Sequence, residues 1–216
     1  MTTRLDDRNA TRRSYIRLSR AYDFLANSSE RRIRDEGIHA LGLAPGQSVL
    51  GIGCGTGQGL LSLARAVGDG GRVQGVDLSR GMISVARTAS AGARNVCLAI
   101  GDARALCFRS KAFDAVFLSF TLELFGDQMM QVLAEARRVL QDRGRIGVVA
   151  MAETGHSNPM IATYKWMHRR WPHVVDCRPI DVPGALRTAG FQVGAVHAMT
   201  IWSLPVIAVI GEKPAP

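Results

Sequence analysis

Between Val49 and Gly59 the chain reads VLGIGCGTGQG, an apolar run passing into four glycines at every second position, Gly53, Gly55, Gly57 and Gly59. A strand-to-helix turn stripped of Cβ atoms can bend sharply and let a ligand lie directly against its amides. The spacing narrows the choice of ligand. A dinucleotide fingerprint needs a third glycine three residues past the second. Here the pairs Gly51–Gly53, Gly53–Gly55 and Gly55–Gly57 lead instead to Thr56, Gln58 and Leu60. A phosphate-cradling P-loop needs a Gly-Lys pair, and the chain contains none. The turn suits a nucleotide-like cofactor that does not rely on pyrophosphate.

Around this turn the apolar pattern alternates between strand and helix periods. Strands are expected at 48–52, 72–77, 95–100, 114–120 and 145–151, with helices at 58–67, 80–90 and 128–140. Such alternation requires a parallel sheet with helices on both faces, and 216 residues fit one domain of this α/β kind. Two helices, at about 11–25 and 29–41, should precede the sheet, so that residues 1–44 form a helical cap. A polar stretch after Ala152 leads into a helix at about 159–171, within an insertion spanning 153–180. Asp181 then caps a helix with Pro183 in its first turn that closes at Gly190. FQVGAVHAMTI and VIAVIGE read as two closing strands, paired antiparallel.

Five landmarks in order give the chain its likeness to a known family. They are the Gly-x-Gly-x-Gly turn; Asp77, twenty residues past Gly57; Gly101-Asp102-Ala103 after NVCLAI; FDAVFLSFTLELF from Phe113; and RRVLQDRGRIGVVA. Over roughly Tyr22 to Pro205 the chain resembles the class I S-adenosylmethionine-dependent methyltransferases. Its likeness is greatest to the branch that methylates ubiquinone and menaquinone precursors. The resemblance implies a Rossmann-like, seven-stranded, mostly parallel sheet of order 3-2-1-4-5-7-6, with S-adenosylmethionine as cofactor. Asp77 would then accept the ribose hydroxyls, a role that a carboxylate at a strand end also suits physically. By the same resemblance Asp102 would accept from the adenine amino group, and Ser119 to Thr121 would face the methionine end. Gly53, Gly55, Thr56 and Gly57 would form the loop beneath the cofactor, with Leu78, Met82 and Ala103 also in contact. Tyr22, in YDFL, would help to close the site, against the alternative of a helix-packing tyrosine. The chain departs from the family at Gly51, where an Asp or Glu is usual. Either Asp77, Asp102 and a water suffice, or the chain is a non-catalytic relative.

The formal charge of +9 comes almost entirely from arginine, Lys111, Lys165 and Lys213 being the only lysines. Arg4, Arg8, Arg12, Arg13, Arg17 and Arg20 crowd the first twenty residues with Tyr15 as their one aromatic neighbour. Nucleic-acid modules interleave more aromatics with such a run, so an anionic membrane surface is the expected partner rather than RNA. An arginine-rich composition without a partner is the alternative. No stretch is apolar and long enough to span a bilayer, and MTTRLDD is too polar for a signal peptide, so a cytoplasmic protein is expected. Cys54, Cys97, Cys107 and Cys177 lack metal spacing and should be reduced thiols, and no metal site is expected.

Methyl transfer needs mainly a nucleophile held close to the methyl carbon, with a general base only where a proton must leave. Two side chains are candidates for catalysis. Glu123 stands in TLELF just past the fourth strand, as a base or a substrate hydrogen-bonder, against the alternative of an exposed acid at a helix start. His156 belongs to the insertion GHSNPMIATYKWMHRRWPH, which also carries His168, His173, Tyr164, Trp166 and Trp171. Any one of these histidines could equally be a packing residue. Together the segment suits a ring-shaped apolar acceptor, quinone-like or phenolic. Phospholipid N-methylation is the alternative within enzymes, and a cofactor-binding protein without catalysis is the alternative outside them.

Overall fold

The computed structural model describes residues 30–153, 179–201 and 204–215. The expected helices at 11–25 and 159–171, together with Tyr22, His156, His168, His173 and Cys177, lie outside the described residues. The chain divides into two compact units, residues 1–32 and 33–216. Residues 30–32 of the first are helical.

In the second unit, helix α1 covers 33–40, and Leu41 and Gly42 turn the chain toward the sheet. Seven strands follow: β1 (Ser48–Ile52), β2 (Arg72–Asp77), β3 (Val96–Ile100), β4 (Phe113–Ser119), β5 (Leu140–Met151), β6 (Gln192–Ile201) and β7 (Leu204–Glu212). The helices between them are α2 (Gln58–Val67), α3 (Arg80–Ala89), α4 (Met129–Val139) and α5 (Val182–Thr188). The sheet order is 3-2-1-4-5-7-6, as the resemblance implies, and only β7 runs antiparallel to its neighbours β5 and β6.

Alternation along the strands sends apolar side chains to both faces, as a sheet covered on two sides requires. Leu50, Ile52, Val116, Leu118, Ile146 and Val148 face a core completed by Val132, Leu133 and Ala136 of α4 and by Val182 and Leu186 of α5. Val49, Ala115, Phe117 and Val149 face the other core, with Ile33 and Ile38 of α1 and Leu60, Leu63 and Val67 of α2. Gly37 brings α1 against this face: a Cβ there would come within 2.5 Å of Val149 Cγ2.

Several boundaries differ from expectation by a residue or two, and three places are informative. The fifth strand begins at Leu140 rather than 145, because Leu140 already pairs with Phe113 across a register shift and Arg143 takes φ 61° to continue the ladder. The helix expected from 128 is preceded by a separate 3-10 segment, Leu122–Gln128, with a break at Gly126 (φ 50°). The last strand begins at Leu204 and so includes Pro205, which sits at the end of the β6–β7 hairpin opposite Thr200. The sheet order sets β1 between β2 and β4, so the chain leaves β1 and β4 toward opposite sides and opens a crevice at their carboxyl ends.

Candidate functional site

The glycine turn leaves β1 directly into that crevice. Gly53 and Gly55 take φ 64° and 51°, in the left-handed region that side chains other than glycine avoid. The two serve different ends. A Cβ on Gly53 would lie 2.2 Å from Thr121 Cγ2, so this glycine lets the end of β4 close over the turn. Among the described residues a Cβ on Gly55 would meet nothing within 4 Å, so none of them covers this backbone. Helix α2 starts at Gln58, so Thr56 and Gly57 complete the turn just ahead of its positive end.

Asp77 closes β2 beside this turn. Its Oδ2 accepts from the Gly55 amide at 2.8 Å and its Oδ1 from the Ser79 amide at 2.9 Å. Ser79 in turn caps α3, its Oγ accepting from the Met82 amide at 3.3 Å. One carboxylate thus ties the glycine turn to the start of α3. Cys54 lies in the same turn, and burial together with the Asp77 charge pushes its thiol up to about 12. It stays protonated at neutral pH and is no nucleophile.

Beyond Asp77 the surface is apolar and open. Leu78 is 70 % exposed, Met82 44 % and Ile100, the register partner of Asp77 on β3, 45 %. Large apolar side chains left bare around one strand end mark a place for a flat apolar ligand. Asp102 follows on the loop after β3 and Ala103 is buried behind it. Arg104 grips Asp102: Oδ1 accepts from the Arg104 amide and Nε, both at 2.9 Å, and Oδ2 from Nε at 3.0 Å and Nη2 at 2.5 Å. The hydrogen bonds from Arg104 hold the Asp102 carboxyl down at about 2. Nη1 of Arg104 also donates to Gln128 Oε1 at 2.6 Å.

On the other side of the crevice β4 ends at Ser119. The Ser119 Oγ is buried with no hydrogen-bond partner among the described residues, the kind of group a ligand satisfies. Phe120 next to it takes φ 50°, an uncommon conformation for a bulky residue and one that concentrates at functional sites. The Thr121 hydroxyl donates to Ser119 O at 2.9 Å and lies 3.4 Å from Gly53 O, which pins this end to the turn. Glu123 follows in the first turn of the 3-10 segment. It is not the exposed acid that the alternative reading required, for only 3 % of it is accessible.

Gly51 has a structural counterpart that the sequence did not announce. It pairs in register with Gly75 on β2, and Leu60 of α2 fills the space above both. A Cβ on Gly51 would lie 2.8 Å from Leu60 Cδ2, and one on Gly75 2.5 Å from Leu60 Cδ1. The leucine occupies the place into which an acid at 51 would project.

The described candidates Gly53, Gly55, Thr56, Gly57, Asp77, Leu78, Met82, Asp102, Ala103, Ser119 and Glu123 all lie on the turns and helix starts that follow β1 to β4. Ile100, Arg104 and Gln128 join them without having been singled out. The Asp-x-Arg spacing of 102 and 104 carried a signal, whereas Gln128 carried none. Bare glycine backbone, an acid at each of two strand ends, an apolar shelf and an unsatisfied hydroxyl fit an adenosyl group with an amino-acid tail.

Comparison with known proteins agrees. A model described as a methyltransferase domain matches residues 49–144. The demethylmenaquinone methyltransferase of Staphylococcus aureus strain MRSA252 is 33 % identical over 160 residues, covering 72 % of this chain and 64 % of that protein. The chain therefore spans just under two thirds of that relative. Among solved structures, the YcgJ protein of Bacillus subtilis superposes with a TM-score of 0.70 at 16 % identity, covering 86 % of this chain and 99 % of the other. A SAM-dependent methyltransferase from Aquifex aeolicus gives 0.65 at 20 % identity, covering 83 % and 88 %. The [4+2]-cyclase SpnF gives 0.69 at 20 % identity, covering 86 % and 81 %. These structures share the fold, and one of them is named for another chemistry. The domain match, the relative and the sheet order together give residues 49–144 the character of a methyltransferase domain on the class I, Rossmann-like fold, and the chain is similar to the S-adenosylmethionine-dependent methyltransferases.

Proposed function

We propose that this protein transfers a methyl group from S-adenosylmethionine to a small, lipophilic acceptor with a quinone-like or phenolic ring, at carbon or oxygen. The observation that carries the reading is the Asp77–Gly55 contact: a carboxylate already fixed beside glycine backbone that no described residue covers, at the strand end where a ribose would be gripped. The likeness to the demethylmenaquinone methyltransferase supports the acceptor class.

S-adenosylmethionine supplies an electrophilic methyl carbon on a positively charged sulfur. The chain has to hold it and aim the acceptor. Asp77 accepts from the ribose hydroxyls, Leu78 and Met82 cover the purine, and Ser119 Oγ with the turn amides takes the amino-acid end. Glu123, buried in the first turn after β4, orients the acceptor or takes the proton that a phenol or ring carbon gives up. His156 of the insertion is a further candidate for that proton, and Tyr22 for closing the site.

The basic N-terminus, with six arginines in its first twenty residues, rests on anionic lipid when the acceptor carries a prenyl tail. This places the protein in the cytoplasm, at the membrane edge. No helix among the described residues is long and apolar enough to cross a bilayer. Failure to bind anionic vesicles at low salt would remove the membrane part.

Transfer of a labelled methyl group into an extracted lipid and quinone pool tests the whole reading. Label in a quinone or phenol supports it; label in phosphatidylethanolamine replaces it with phospholipid N-methylation. Gly51, backed by Leu60, favours a second reading, a protein that binds the cofactor without catalysis, and cofactor binding with no labelled product would select it.

A further inference from the structure

The loop after β3 and the 3-10 segment after β4 come from separate parts of the chain, yet one side chain joins them. Arg104 spends Nε and Nη2 on Asp102 and Nη1 on Gln128, the last residue of the segment that carries Glu123. Two oxygens accept four contacts from Arg104: its amide and Nε on Oδ1, its Nε and Nη2 on Oδ2. Three hydrogens make them, the single Nε–H being shared between the two oxygens, on a carboxylate that offers about four acceptor positions. An incoming amino group at Asp102 therefore competes with Arg104, first of all for the contact that Nε shares. Because the guanidinium is a rigid planar fork, a shift at Nε or Nη2 also moves Nη1.

The body on which this shift acts is otherwise fixed. Helix α4 continues from Gln128 and holds the same loop farther on: Glu135 Oε2 accepts from the Leu106 amide at 2.7 Å, and Arg138 donates to Leu106 O at 3.0 Å and Phe108 O at 2.8 Å. These anchors hold the loop from Leu106 onward to α4. Both the Asp102 and Arg104 side chains are about one third exposed and Gln128 is exposed, so an exchange among these three takes place at the surface.

The geometry points to Arg104 as a positioning residue that carries occupancy of the purine end of the donor site to the acceptor segment 122–128. Purine binding at Asp102 releases part of the Arg104 grip and resets its hold on Gln128. Loading of the donor and ordering of the acceptor segment are then one linked event, reciprocal by thermodynamic necessity. This rests on the donor site proposed above, and the test separates the two.

The full-length protein is followed by hydrogen exchange with and without millimolar adenosine, which carries purine and ribose but no amino-acid tail to touch Ser119 or Thr121 directly. Protection at Gly53–Gly57 and Asp77 reports the donor site itself; its absence overturns the donor reading. With that protection present, exchange at 122–128 should change by at least about threefold in the wild type, and by less than about 1.5-fold in Arg104→Ala and in Gln128→Ala. Adenosine binding that protects the glycine turn but leaves 122–128 unchanged in the wild type overturns the linkage. So does a response at 122–128 that survives both substitutions.

Discussion

Asp77 reaches back to the amide of Gly55, twenty-two residues earlier in the chain, at 2.8 Å, so the acid that closes β2 holds the turn that leaves β1. A ligand that draws on Asp77 meets a carboxylate already aimed by the loop it must lie against.

Asp77→Ala should therefore weaken S-adenosylhomocysteine binding by roughly 10- to 150-fold, on the order of 1.5–3 kcal/mol for lost charge-assisted bonds. Calorimetric titration reads this directly. Unchanged affinity would show that the ribose is held elsewhere.

Gly53→Ala should be costly to the fold, because its Cβ would enter the Thr121 side chain at 2.2 Å on a backbone of φ 64°. Overpacking adds about 1–3 kcal/mol and the left-handed backbone about 1–2 kcal/mol. Adding Thr121→Ala should recover the first part and not the second. Urea unfolding of the two variants checks the division.

Gly55→Ala should behave differently. With no atom of the described residues within 4 Å of the new methyl, the folding cost is the backbone part, about 1–2 kcal/mol. The methyl projects into the ligand's side of the turn, so binding should fall by more than stability does. Comparing unfolding with titration on the same variant decides this.

The Asp102 carboxyl, lowered to about 2 by its hydrogen bonds with Arg104, should titrate near the ordinary carboxylate value once Arg104 is replaced by alanine. A pKa depressed in the folded state stabilises above the unfolded value, near 3.9, and that contribution is lost as pH falls through about 2. The wild type should thus keep its lead in stability over Arg104→Ala above about pH 4, lose the part due to Asp102 between about pH 4 and 2, and retain none of that part below. Carboxyl chemical shifts followed through acid titration measure the site itself.

Arg138→Ala should destabilise the protein by about 2 kcal/mol, since it removes the donors to Leu106 O and Phe108 O together with the partner of Glu135. Arg138→Lys should recover only part, a single ammonium being unable to reproduce the fork. Thermal unfolding of both variants provides the check.

The fold and its glycine turn were legible because their signals are local. Gly53 and Gly55 stand in a glycine run straight after an apolar strand, and the alternation of strand and helix periods called for the sheet that is covered on both faces. The early start of β5 was hidden, because Leu140 joins the ladder through pairing with Phe113, a contact that no window around Leu140 contains. Burial of Glu123 was hidden too, since TLELF read as well as the exposed start of a helix. Arg104 was half visible, its grip on Asp102 local and its bond to Gln128 not.

The facing pair Gly51 and Gly75, with Leu60 lodged over both, binds three positions into one inheritance. A side chain gained at either glycine asks the leucine to shrink or turn aside, and a smaller residue at 60 leaves a hollow that invites one of the glycines to grow. Among descendants of this chain, 51, 60 and 75 should drift as a trio, so that restoring an acid at 51 alone is the change least open to it.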